Sequence, residues 1–123
     1  MRIVDANVIL RYLLDDHPLL SAKAAKQIES NQVFIPSEVV CEVVYVLEKV
    51  YSVERIEIMD KLTSLMESPH VSVFNIEIIL QGLKLYSSRK LDFVDALLCA
   101  YHKVNGDEII TFDEQILKIL RQS

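Results

Sequence analysis

The sequence predicts an α/β protein, an α/β/α sandwich around a short central parallel sheet of four or five strands. Three observations carry that expectation. Short apolar, β-branched runs alternate with longer stretches of helical periodicity in the order β-α-α-β-α-α-β-α-α-β-α, the crossovers that parallel strands require. Only two glycines and three prolines interrupt 123 residues, half of them apolar, which suits short loops and one packed core. Two of the apolar runs stop directly at a carboxylate that opens a helix, Asp5 and Asp113. In open parallel sheets ligands gather at the carboxyl ends of strands, so both fall where chemistry is expected. Residues 1–123 are expected to form a single domain.

The first strand is an apolar, β-branched run that begins almost at the first residue and stops at Asp5. After Asn7 the segment Val8 to Leu14 has helical spacing until Asp15-Asp16-His17-Pro18 breaks it. A second helix fits Pro18 to Glu29, with Leu20, Ala24 and Ile28 on one face and Lys23, Lys26 and Gln27 elsewhere on its surface. Gln32 to Ile35 reads as a strand, and Ser37 as the N-cap of a helix over Glu38–Tyr51. That helix is apolar except for a stripe of Glu38, Glu42, Tyr45 and Lys49. A further amphipathic helix spans Val53–Ser68, with Ile56, Met59, Leu62, Thr63 and Met66 on one face. His70 to Phe74 alternates as a strand, and Ile76 to Tyr86 returns to helix. After the basic link Ser87-Ser88-Arg89-Lys90, a helix places Asp92, Asp95, Cys99, His102 and Lys103 along one side. Asp92 and Asp95 have capping-box spacing, Asp92 as the cap. Asn105-Gly106 is a C-cap signal, Glu108 to Phe112 a fourth strand, and Glu114 to Leu120 the last helix.

The charge balance is 13 basic against 18 acidic side chains, a net −5. A protein gripping nucleic acid by phosphate contacts alone would be basic. The acidic balance leaves no nucleic acid, a basic partner, or carboxylates neutralised by bound metal. The longest apolar run, Ala96–Tyr101, is far short of the roughly 20 residues of a membrane span. The start of the chain shows no secretory pattern. Cys41 and Cys99 sit inside helical apolar patterns and read as free thiols of a cytoplasmic protein.

The acids are the informative residues. Asp5 and Asp113 stand at strand ends, Glu42 lies early in the helix after the second strand, and Asp95 is in the first turn of a later helix. Each alone is explained by capping or solvation. Four carboxylates sharing one cleft would repel and raise one another's pKa unless cations were present. Oxygen ligands without clustered His or Cys select Mg²⁺ or Mn²⁺, ions that activate water and stabilise charge on a phosphoryl group.

These residues resemble the motifs of the PIN domain family, most closely the short VapC toxins of toxin–antitoxin pairs, across essentially the whole chain. Asp5-Ala6-Asn7 is similar to the opening Asp-x-Asn/Ser motif, and Glu42 to the acid in the helix after the second strand. Asp95-Ala96 is similar to the Asp-Ala-rich helix, and Thr111-Phe112-Asp113 to the closing Thr-x-Asp. The resemblance implies a metal-dependent ribonuclease in which Asp5, Glu42, Asp95 and Asp113 are catalytic metal ligands, supported by Asn7 and Thr111. It leaves Asp92 either a cap or a supporting acid. It also implies Mg²⁺ or Mn²⁺ as cofactor, an RNA substrate, a cognate antitoxin and a homodimer. Basic candidates for substrate contact are Arg11, Arg89 and Lys90, which surface solvation explains equally well.

The alternatives are a non-cleaving PIN-fold module for RNA or protein and a haloacid-dehalogenase-type phosphatase. The latter needs a second Asp two residues after the first, where this chain has Asn7. A phosphoacceptor receiver domain wants paired acids at the first strand end and a lysine after the last strand, and the chain offers neither cleanly.

Overall fold

The computed structural model describes residues 1–122 and is rich in α-helix, with a small parallel sheet. It divides into two compact units, Met1–Phe74 and the chain from Asn75 onward.

The first unit holds β1 (Arg2–Ile3), α1 (Ala6–Leu14), α2 (Pro18–Glu29), β2 (Val33–Phe34), α3 (Ser37–Lys49), α4 (Arg55–Met66) and β3 (Val71–Ser72). Its strands are parallel in the order β1-β2-β3, with Arg2 opposite Val33 and Val33 opposite Val71. The ladder extends past the strand ends, since Val4 N–H donates to the Phe34 carbonyl (3.2 Å) and Ile35 N–H to that of Ser72 (2.9 Å). Each crossover is a helix pair, as parallel pairing demands. Val33, Ile35, Val40, Val43, Val44, Leu47, Ile58 and Leu62 are almost fully buried.

Several local expectations shift by a residue or two. The buried face of α2 is Ser21, Ala24 and Ile28, while Leu20 is 46% exposed. Ser21 can be buried because its hydroxyl donates to the Arg11 carbonyl at 2.8 Å. Ser37 is the first residue of α3, and Pro36 is its N-cap with no side-chain bond. In α4 the buried residues are Ile58, Leu62, Leu65 and Met66, and Ile56 is exposed.

The second unit holds α5 (Ile76–Ser88), α6 (Phe93–Asn105) and α7 (Glu114–Arg121). Helices α5 and α6 approach closely at Gly82, where an added Cβ would stand 2.8 Å from Leu97 Cδ2. Tyr86 and Phe93 meet edge to face, centroids 5.8 Å apart. Helix α6 stops at Gly106, whose φ of 75° is the left-handed cap that Asn105-Gly106 announced.

The sheet has three strands among the described residues, not four or five. Glu108–Phe112, expected as a fourth, is not in a strand, and Ile110 and Phe112 are 93% and 98% exposed. β-Branched residues favour extended backbone, but a strand exists only where a neighbouring edge takes up its N–H and C=O groups. Among the described residues no helix is long and apolar enough to cross a membrane.

Candidate catalytic carboxylates

In the first unit the turn from β1 into α1 fixes Asp5. Its backbone is extended (φ −90°, ψ 171°), and its Oδ1 accepts the Val8 N–H at 3.2 Å, capping α1. The exposed carboxylate borders a groove of about 350 Å³ whose lining includes Arg2, Val8, Gln27 and Val33. Asn7, exposed on the first turn of α1, lines an adjoining groove with Val8 and Arg11. Glu42 lies on α3, which packs against α1, and the whole stripe of Glu38, Glu42, Tyr45 and Lys49 is exposed. Arg11 is committed elsewhere: its guanidinium holds Asp16 at 2.9 Å, donates to the Tyr51 hydroxyl at 2.8 Å and lies over that ring.

In the second unit Asp95 feels the charges of Asp113 and Asp92. Burial, then the charges of Asp113 and Asp92, raise the Asp95 carboxyl above its ordinary range. Burial, then Asp95 and Asp113, likewise push up the thiol of Cys99, one turn along α6 from Asp95. Asp113 caps α7, its Oδ1 accepting the Ile116 N–H at 2.9 Å. Thr111 sets that cap, since its Oγ1 accepts the Asp113 N–H at 3.0 Å. Asp92 occupies the N-cap position of α6, but its side chain makes no capping bond. The capping-box expectation therefore holds for its position and fails for its carboxylate, which stays exposed beside Asp95. Arg89 and Lys90 are exposed just before α6, the Lys90 carbonyl accepting the Gln115 side-chain N–H at 2.7 Å.

The PIN domain family profile matches residues 2–121. This chain belongs to the PIN domain family. Among curated proteins it is similar to a VapC ribonuclease of Aquifex aeolicus (strain VF5), at 29% identity over 97% of this chain and 92% of the relative. No solved structure matches it significantly.

The acids of this PIN domain fit a hard divalent cation in donor type and charge. They are carboxylates, and the Asp95 carboxyl, raised first by burial and then by Asp113 and Asp92, carries a repulsion that a cation would relieve. Capping engages one oxygen each of Asp5 and Asp113. Yet among the described residues no three His, Cys, Asp or Glu side chains are drawn close enough to enclose an ion. Asp92, Asp95 and Asp113 are near enough to share a field without forming a cage. Sequence reasoning missed Arg2 and Gln27 beside Asp5, and the one signal for Arg2 was its place three residues ahead of the carboxylate in the same strand-end segment.

Proposed function

We propose that this PIN domain, taken as residues 1–123, is a Mg²⁺- or Mn²⁺-dependent ribonuclease and the toxin of a VapBC-type toxin–antitoxin pair. The observation that carries the reading is Asp95, held at the start of a rigid helix with its carboxyl raised by burial and by two neighbouring carboxylates. Family membership and the VapC ribonuclease relative support it. Capping accounts for Asp113 but not for the Asp92 carboxylate, which makes no capping bond, nor for Asp95. Like charges gathered this way weaken the fold unless something positive is to be held.

In this reading Asp5, Glu42, Asp95 and Asp113 are the metal-holding catalytic acids. When bound, the cation supplies a Lewis acid that lowers the pKa of water and neutralises charge on the phosphodiester. The chain's own part is orientation. Capping bonds fix the rotamers of Asp5 and Asp113, and Thr111 positions the Asp113 backbone. Asn7 stands two residues after Asp5 as a donor toward substrate oxygen, and Asp92 tunes Asp95 through its charge. The reading extends to a cytoplasmic protein, a homodimer, and an antitoxin that reaches the carboxylates with an Arg or Lys side chain.

A second reading is a PIN-fold module that binds RNA or protein without cutting, and it is favoured by the lack of a three-donor cage among the described residues. One experiment separates the two. Purified protein is incubated with RNA in Mg²⁺, in Mn²⁺ and in excess EDTA, and the product ends are analysed. Metal-dependent cleavage leaving 5′-phosphates supports the ribonuclease. Full activity in EDTA, or 2′,3′-cyclic phosphate ends, excludes the mechanism, and no cleavage in either metal favours the binding module.

A further inference from the structure

We infer that the groove between α1 and α2 is a track for the backbone of single-stranded RNA, with Lys23 and Lys26 holding phosphates to one side of the one at Asp5. The inference rests on the ribonuclease reading and adds the path of the substrate. The groove, about 700 Å³, is lined by Val8, Leu20, Lys23, Lys26 and Gln27 among others, and it shares Val8 and Gln27 with the smaller groove that Asp5 borders. The two grooves therefore adjoin at Val8 and Gln27, the smaller of them beside the carboxylate.

Their charge runs against that of the chain. The protein carries −5, yet Arg2, Arg11, Lys23 and Lys26 are among the residues that line the two adjoining grooves, with Asp5 as the one acid. Arg11 is spoken for by Asp16. Lys23 and Lys26 are exposed and have no acidic partner among the described residues. They stand three residues apart on one face of α2, about 5–6 Å between Cβ atoms, the scale of the step between successive phosphates. Exposed Leu20, with Val8 and Ala24, gives an apolar wall for base faces, and Gln27, which lines both grooves, offers a donor and an acceptor. An acidic peptide would satisfy the lysines equally well. Adjacency to the carboxylate at which the phosphodiester is to be cut favours RNA, because a bound chain must extend beyond the scissile bond.

The test measures binding of a short mixed-sequence single-stranded RNA, by fluorescence anisotropy in EDTA across a salt series, for three proteins. These are wild type, K23Q/K26Q, and a control K84Q/K103Q that alters exposed lysines of the second unit. Each double variant loses two cations, taking the net charge from −5 to −7, so only position differs. Gln keeps the helix propensity of Lys, and thermal melts confirm the fold. The expected result is RNA affinity reduced several-fold in K23Q/K26Q alone. Its log–log salt slope should also be shallower by about 1.4, two contacts at about 0.7 each. In cleavage assays the same variant should lose activity through a raised KM. Equal weakening of both variants, or of neither, overturns the track. So does loss of poly-glutamate binding in K23Q/K26Q with RNA binding intact, which would assign the groove to an acidic protein. If wild type binds RNA through the two lysines but cuts nothing in either metal, the ribonuclease reading fails and the track stands.

Discussion

Replacing Asp113 by Asn and by Ala separates the two things its carboxylate does. Its Oδ1 caps α7 through the Ile116 N–H at 2.9 Å, and its charge helps raise Asp95. Asn caps nearly as well as Asp, whereas Ala removes the cap at a cost of about 1 kcal/mol. Asp113→Ala should therefore melt below Asp113→Asn by about 4 °C for a domain of this size, at every pH. The charge term has a different pH signature. Asp95 holds its proton more readily folded than unfolded, so stability falls as pH rises from the ordinary carboxylate range through the raised Asp95 pKa, and the whole penalty stands above it. Asp113→Asn removes part of that penalty where Asp95 is ionised and none where it is protonated. Its melting point relative to wild type should rise with pH through that interval, offset by loss of the charge–dipole interaction at the α7 terminus, about 0.5 kcal/mol. Thermal melts of the three proteins in EDTA over an acid-to-neutral series measure both effects. An Asn variant as unstable as Ala, or an Asn-minus-wild-type difference that stays flat or falls with pH, would refute the reasoning.

Gly82→Ala should be destabilising by about 1 kcal/mol, because overpacking against Leu97 costs about 1–3 kcal/mol and improved helix propensity returns about 1. In a Leu97→Ala background the same change should become neutral or favourable, which a double-mutant cycle of denaturation midpoints would reveal. Millimolar Mn²⁺ should raise the wild-type melting temperature and raise that of Asp95→Asn much less, and a wild-type melt indifferent to Mn²⁺ counts against a metal site. Expressed alone, the wild-type chain should slow growth of its host while soluble Asp5→Asn should not. Equal effects of the two would count against the toxin reading.

Most helices could be read from the sequence because their ends are chemically marked. His17-Pro18 starts α2 with the His17 ring accepting the Leu20 N–H, Asp5 and Asp113 cap as their strand-to-helix positions implied, and Gly106 closes α6. What could not be read depends on partners distant in sequence. Ile109-Ile110-Thr111 has strand propensity, but pairing is decided by an available edge, which no local pattern encodes. Leu20 looked like core by spacing, yet a hydrogen-bonded Ser21 took the buried position, and Leu20 was left to line a groove. Asp92 had the spacing of a capping box without its bond, since spacing specifies which residues can meet and not which rotamer the surroundings select. The acids themselves were legible one by one, whereas the field that raises Asp95 required α6 and α7 in place. Lys23 and Lys26 were legible only as surface charge until the groove beside them appeared.

In the proposed ribonuclease Asp95 is a metal-holding catalytic acid and not a helix-start residue that happens to be acidic. The direct measurement is RNA cleavage in saturating Mn²⁺ by wild type, Asp95→Asn and Asp92→Asn, each shown to be folded by its thermal melt. Asp95→Asn should cut nothing above background, while Asp92→Asn, whose side chain makes no capping bond to α6 and is not needed to hold the ion, should continue to cleave. Cleavage by Asp95→Asn at the wild-type rate, or activity lost in Asp92→Asn and kept in Asp95→Asn, would contradict it.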